Sequence, residues 1–370
     1  MKIKEITSVL EQWAPLAYAE DFDNVGLLVG NETEDCTGVL ISHDALENVI
    51  DEAIDLGYNL IVCFHPIIFS GLKKIAGQNY VTRVVVKAIK NNIAIYALHT
   101  ALDNYQKGVS YALAQALNLK DIEILVPQKN RLKQLTAYVP KENANALLNA
   151  LYGAGAGALG DYDECSFVNE GMGHFKGNEN SKPHIGTPMI GESVEEVQIN
   201  LIYQKHLEQK ILQTLFDQHP YETVAYEIYR LDNQNQTIGM GSIGMLEKEM
   251  EETAFLEMVG EKLETGFLRH SALEGKKIKK VAVLGGSGSF AIPNAKRMKA
   301  DAFITADLKY HDFFQAEKQL LLIDAGHYET ERFTKKIIHD HLMEKLPNFA
   351  TALSKSITNP VKYFSDAKKK

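Results

Sequence analysis

Near the end of the sequence stands Gly326-His327-Tyr328-Glu329-Thr330-Glu331. His327 and Glu331 are four residues apart, a spacing that on a helix puts both side chains on one face, within reach of a shared ion. An imidazole and a carboxylate so placed suit a borderline divalent metal such as Zn, Mn or Fe. The same pair on a helix is also common as a solvated ion pair, so the reading needs further ligands. Candidates are His65, His99 with Asp103, and Asp307 with His311 four residues on. Each has an ordinary alternative. His65 before Pro66 reads equally as a turn residue, His99 as a core histidine bonded to backbone, and Asp103 as a helix cap. Asp307 and His311 read equally as a solvated pair.

The elements that must position these residues follow a pattern. Leu320-Leu321-Leu322-Ile323 reads as a buried strand that passes through Gly326 into a helix running to about Glu344. Val39-Leu40-Ile41, Leu60-Ile61-Val62-Cys63-Phe64 and Ile93-Ala94-Ile95-Tyr96-Ala97 read as strands. Between them lie a helix capped by Asp44 and stopped at Gly57, and a second over 80–91. Beyond Lys280, Val281-Ala282-Val283-Leu284 runs into Gly285-Gly286-Ser287-Gly288-Ser289, and Ala302-Phe303-Ile304-Thr305 ends at Asp307. Strands alternating with helices of this length imply an α/β fold with a mostly parallel sheet and flanking helices. Open α/β sheets bind ligands at the carboxyl ends of their strands. His65, His99 with Asp103, Asp307, and His327 with Glu331 all fall there, on what reads as one sheet edge. Jointly they favour metal binding over four unrelated alternatives.

Two stretches depart from this rhythm. Residues 1–30 open with an amphipathic helix (Ile3, Ile6, Val9, Leu10, Trp13) ended by Pro15, and Asp23-Asn24 reads as a turn into a strand. Residues 128–237 read as β-α-β-β-α-β, a ferredoxin-like α+β plait inserted between two halves, 1–127 and 238–370, of one α/β domain. Its run Gly153-Ala154-Gly155-Ala156-Gly157 suits a loop at a helix C-terminus better than a phosphate site.

Composition narrows the function classes. The 370 residues leave room for about two domains. A formal charge of -9 argues against nucleic acid as a default partner, and the terminal Lys-Lys-Lys reads as a solvated tail. Cys36, Cys63 and Cys165 have neither paired nor metal-type spacing, which fits a reducing compartment. No stretch reads as a signal peptide or an 18-residue membrane span. The expectation is a soluble, cytoplasmic protein with no membrane partner.

Several motifs carry a resemblance. Phe22-Asp23-Asn24-Val25-Gly26-Leu27-Leu28-Val29-Gly30, Phe64-His65-Pro66-Ile67-Ile68-Phe69, His99-Thr100-Ala101-Leu102-Asp103 and Thr305-Ala306-Asp307-Leu308-Lys309-Tyr310-His311 occur in this order, with the histidine stretch above. They resemble the Ngg-interacting-factor-three-like family, whose bacterial members carry the name GTP cyclohydrolase 1 type 2 homolog. The insert resembles the CutA/PII-like domain of the long bacterial members. The resemblance implies an α/β core with a dinuclear metal centre, in a toroidal homohexamer. By motif, His65, Asp103 and Glu331 would hold one ion, and His327 with a bridging Glu331 the second. The usual motif has a second histidine immediately before the one matching His65. Phe64 stands there, which leaves the second ion short of a ligand. His43, at a strand end beside Asp44, is either a loop residue or a substitute ligand.

Two functions follow as expectations. One is a metal-dependent hydrolase acting on a nucleotide or related phosphorylated heterocycle, GTP among them. Glu331, Asp307 or His311 would move protons, and the N–H groups of the 285–288 loop would hold phosphate. The other is a non-catalytic regulatory hexamer that binds metal or nucleotide.

Overall fold

Leu60-Ile61-Val62-Cys63 contains no polar residue, and the strand it forms is buried along its whole length. Parallel strands covered by helices on both faces have this character. The computed structural model that contains it describes residues 1–235 and 237–364; the terminal Lys-Lys-Lys lies outside the described residues. Two compact units divide the chain: Met1–Val126 together with Ile238–Lys370, and Pro127–Thr237.

In chain order the strands are β1 (Gly26–Val29), β2 (Val39–Ser42), β3 (Leu60–Cys63), β4 (Ala94–Ala97) and β5 (Lys120–Pro127). Next come β6 (Leu132–Pro140), β7 (Ser166–Lys176), β8 (Gly191–Gln204) and β9 (Tyr226–Arg230). The rest are β10 (Gly239–Glu251), β11 (Arg269–His270), β12 (Lys277–Ser287), β13 (Ala302–Ala306), β14 (Leu321–Asp324) and β15 (Thr351–Leu353).

The first unit is mixed α/β, but its strands form two sheets where the sequence suggested a single edge. One has the order β1-β4-β3-β2-β15, the other β11-β14-β13-β12-β10-β5. In the first, β15, β2, β3 and β4 are parallel and β1 closes the edge antiparallel. In the second, β12, β13 and β14 are parallel, flanked by antiparallel β10 and β11. The segment after the insert thus builds a second sheet, joined at its edge by β5 from before the insert, instead of extending the first.

Helices cover both faces of the first sheet. Ile3, Ile6 and Leu10 pack on Val39, Ile41 and Val62, while Ile50, Val84 and Ala88 pack on Leu40, Ile61 and Ile95. Each fully buried Leu or Ile contributes about 1.5–3 kcal/mol, so the strand ends project from a rigid base. The helix Glu47–Leu56 starts later than Asp44, because the Asp44 carboxylate is engaged by His65. Asn79 caps Tyr80–Lys90 through the Thr82 N–H. The helix expected from His327 to about Glu344 is in two pieces, His327–Glu331 and Thr334–Lys345. At the break, Arg332 is held by the Leu263 carbonyl and by Glu264.

The second unit has the sheet order β7-β8-β6-β9, with every pair antiparallel. Helices Ala144–Ala154 and Glu208–Gln218 pack on it through Leu147, Leu151, Ile211 and Leu215. This is the β-α-β-β-α-β plait. Gly155 closes the first helix, so the Gly-Ala run is a helix C-terminal loop. Entry and exit of the unit meet where the Asn235 N–H donates to the Gln128 carbonyl at 3.0 Å. In the first unit β5 and β10, which lead in and out, are neighbours. A chain joined directly from Val126 to Ile238 is therefore expected to fold as an α/β protein and keep its metal affinity. Circular dichroism and metal titration check this; an unfolded or insoluble product would place the boundary elsewhere.

Candidate metal centre

The parallel strands of the two sheets deliver their ends to one place. His43 and Asp44 follow β2, His65 follows β3, and His99 follows β4 and opens the helix His99–Asp103. From the other sheet, Asp307 follows β13, and His327 follows β14 after Gly326. His99 and Asp307 hold positive φ angles of 29° and 55°. Strained backbone of this kind is retained where the surroundings fix it, often at functional sites.

Glu331 is the hub. Its Oε2 lies 3.2 Å from Nε2 of His327, 3.3 Å from Nε2 of His65 and 3.4 Å from Nε2 of His43. The His65 and His327 Nε2 atoms are themselves 3.4 Å apart. His65, His327 and Glu331 thus present three donors in a nearly equilateral triangle, a group that could hold a metal ion. Four ligands at about 2.0–2.1 Å from a tetrahedral ion stand about 3.3–3.4 Å from one another, so the spacing fits. Among the described residues, Glu331 Oε2 is buried and has no hydrogen-bond partner. The imidazoles approach it without donating to it in hydrogen-bond geometry. A buried carboxylate oxygen left in that state is costly, and a cation would satisfy it.

The outer nitrogens complete the pattern. Nδ1 of His65 pairs with Asp44 at 2.8 Å, Nδ1 of His327 with Asp307 at 2.7 Å, and Nδ1 of His99 with Asp23 at 2.8 Å. A carboxylate on one ring nitrogen fixes the tautomer and leaves the other nitrogen's lone pair for a ligand. Asp23 also accepts from the Thr100 N–H, and Asn24 donates to the Ile68 carbonyl. The Asp23-Asn24 motif therefore binds the strand ends together and is more than a turn. The roles of Asp44, Asp23 and Asp307 as histidine partners were missed by spacing arguments. Only Asp44, next to the strand-end His43, had a local signal; Asp44, Asp307 and Asp23 stand 21, 20 and 76 residues from the histidines they hold.

Asp103 is close enough to Glu331 that the two charges oppose each other. Burial first, and then Glu331, push its carboxyl well above the usual range. His311 is exposed, its ring against Tyr310 and Phe314, and is not among the residues gathered around Glu331. Phe64 is fully buried, with ring centroids 5.0 Å from His65 and 5.6 Å from both His43 and His99. The glycine loop also turns out differently from its phosphate reading. The Gly285 and Gly286 N–H groups donate to Ser110 and Thr330, and the loop packs against Glu331. Those two donors are unavailable to a phosphate.

Charge state follows from these contacts. Burial opposes ionisation of Glu331, but His327, His43 and His65 outweigh it and hold the carboxyl well below the usual range. Burial alone would lower His65, yet Asp44 and Glu331 push it up to about 9, and His327 goes up to about 11 with Asp307 and Glu331. A histidine whose folded pKa is raised adds stability below its unfolded pKa, about 6.5, and loses it as pH rises through the folded value. The chelated protein is therefore expected to lose on the order of 3 kcal/mol between pH 6.5 and 9 through His65. Thermal melts in chelator across that range measure it. A flat profile would remove the charged pairing of His65 with Glu331.

Beside the cluster, Asp44, His65, His99, Ile67, Phe69 and Tyr80 line a cavity of about 260 Å³. Fold and site together define an α/β protein whose strand ends gather imidazoles and carboxylates able to hold a metal. The chain belongs to the Duf34/NIF3 (NGG1p interacting factor 3) family, whose profile matches residues 1–360. It is 39% identical over 345 residues to the GTP cyclohydrolase 1 type 2 homolog of Bacillus subtilis, covering 93% of this chain and 91% of the relative. The homolog of that name in Staphylococcus epidermidis is 33% identical over 367 residues, 98% of this chain and 100% of the relative. The crystal structure of a Bacillus cereus protein related to NIF3 superposes with a TM-score of 0.84 at 36% identity, covering 98% and 99% of the two chains. The family resemblance in the motifs is thus shown, and with it the fold class. No helix among the described residues is long and apolar enough to cross a membrane.

Proposed function

We propose that the chain is a divalent-metal-dependent hydrolase acting on a nucleotide or a related phosphorylated heterocycle. The observation that carries this reading is the donor triangle of His65, His327 and Glu331 opening beside an aromatic-walled cavity. Two imidazoles and a carboxylate suit Zn, Mn or Fe. Asp103, a buried carboxyl raised by burial and by the Glu331 charge, would join them, releasing its proton when metal binds. When bound, such an ion supplies an acidified water and polarises the electrophile.

The protein's own groups do the rest. Asp44 and Asp307 hold His65 and His327 with Nε2 toward Glu331. Asp307 then acts as a positioning residue rather than the proton carrier read from the sequence, and among the described residues the ring contacts of exposed His311 are with Tyr310 and Phe314. His99 lines the cavity with its Nδ1 tied to Asp23, which fixes one tautomer and leaves Nε2 to move a proton at the substrate. Phe69 and Tyr80 are exposed on the cavity wall, where a planar heterocycle could stack. No Lys or Arg is among the described residues lining it.

A second reading, a non-catalytic regulatory assembly, has one observation in its favour. Within the unit Pro127–Thr237, a separate cavity of about 410 Å³ is lined by His174, Lys176, His184, Glu196 and Tyr221 among others. The CutA/PII-like resemblance of the insert supports a sensing role for it. Under either reading we expect a cytoplasmic homohexamer, about six times the 41.3 kDa chain mass by light scattering. Elemental analysis of protein purified without added metal, followed by a nucleotide panel with metal-loaded and chelated samples, separates the readings. Metal-dependent turnover supports the hydrolase; saturable binding with no turnover across the panel supports the regulator.

A further inference from the structure

We propose that His43 is a further ligand of the metal centre, drawn by the ion toward the triangle of His65, His327 and Glu331, which does not itself include it. The inference rests on the metal-centre reading above. His43 is almost completely buried, and its Nε2 lies 3.4 Å from the same Glu331 oxygen that His65 and His327 approach. Its Nδ1 is 3.2 Å from the Thr334 hydroxyl, at the start of the helix Thr334–Lys345. The outer nitrogen is therefore held, as in the other site histidines, and Nε2 is the one turned to the carboxylate.

The ordinary explanation is a hydrogen bond from His43 to Glu331. Geometry speaks against it, because Glu331 Oε2 has no hydrogen-bond partner among the described residues although His43 Nε2 is near. A cation shared by both atoms satisfies each of them. Neighbouring rings define the space: Phe64 stacks against His43 with centroids 5.6 Å apart, and Tyr328 meets it edge-on at 5.2 Å. Phe64 offers no lone pair, so the wall it forms leaves the imidazole on β2's end as the donor from that side. The ligand set is then His43, His65, His327 and Glu331, with Asp103 nearby.

The test uses the full chain freed of metal by chelation. It is titrated with Zn²⁺ by calorimetry and with Co²⁺ by visible absorption, whose band positions report the ligand set. His43→Ala is expected to weaken zinc binding by at least about 10-fold and to change the cobalt bands. Adding Phe64→His to that variant is expected to recover most of the affinity, since position 64 faces the space His43 leaves. His43→Asn, which keeps a polar group near Thr334, should behave like His43→Ala. Unchanged affinity and cobalt bands in His43→Ala would overturn the proposal. So would full recovery by His43→Asn, which would make His43 a positioning residue. Failure of the unmodified protein to bind either ion would remove the metal centre itself, a different result from loss of one ligand. If His43→Ala fails to fold in chelator, the Asn and double variants carry the same comparison.

Discussion

Glu331→Ala is expected to cut metal affinity by at least about 100-fold, and His327→Ala by about 10–100-fold. The difference comes from where the two side chains sit. Glu331 Oε2 lies within 3.2–3.4 Å of three imidazole nitrogens, and it supplies negative charge that no histidine can replace. His327 is one of several nitrogens around that oxygen, and its loss leaves His65, His43, Glu331 and Asp103 in place. Competition with a chelator of known affinity gives both values. Chelated melts of the two variants separate metal loss from unfolding. Equal losses in the two variants would count against Glu331 as the hub.

Gly286→Ala should damage the site although it changes no ligand. Gly286 has φ +68°, and a Cβ there would stand 2.2 Å from Glu331 Oε1 and 3.3 Å from His327 Cε1. Glu331 cannot swing away without leaving its imidazoles, so the collision falls on the site. Gly57 makes the control: its φ is +69°, and a Cβ there meets nothing within 4 Å. Gly57→Ala should cost only the left-handed backbone strain, about 1–2 kcal/mol. Gly286→Ala should cost about 3 kcal/mol or more and lower metal affinity by at least about 10-fold. Denaturant melts of the two variants side by side isolate the collision. If Gly286→Ala is no worse than Gly57→Ala, the loop yields and does not buttress Glu331.

Several features could be read locally. Apolar runs such as Leu60–Cys63 and Leu320-Leu321-Leu322-Ile323 identify buried parallel strands because both their faces are covered. Strands β5 and β10 were not legible in this way. Their sequences are rich in charge or glycine, and they become strands by pairing with neighbours on either side of the insert. Asp44 read as a helix cap because Asp is common there. Its carboxylate instead bonds an imidazole that approaches from the next strand end.

The sequence by itself determined the donor types, their places at strand ends, and the i, i+4 spacing that turns His327 and Glu331 the same way. Those properties depend only on residue chemistry and helical or strand period. Tertiary structure decided that His65 and His327, 262 residues apart, share one carboxylate oxygen. It also decided that His43 joins them while His311 stays outside. It turned the Gly285-Gly286 amides inward to Ser110 and Thr330. These outcomes depend on how two separately built sheets bring their edges together. That packing determines which nitrogens face Glu331, and no local pattern encodes it.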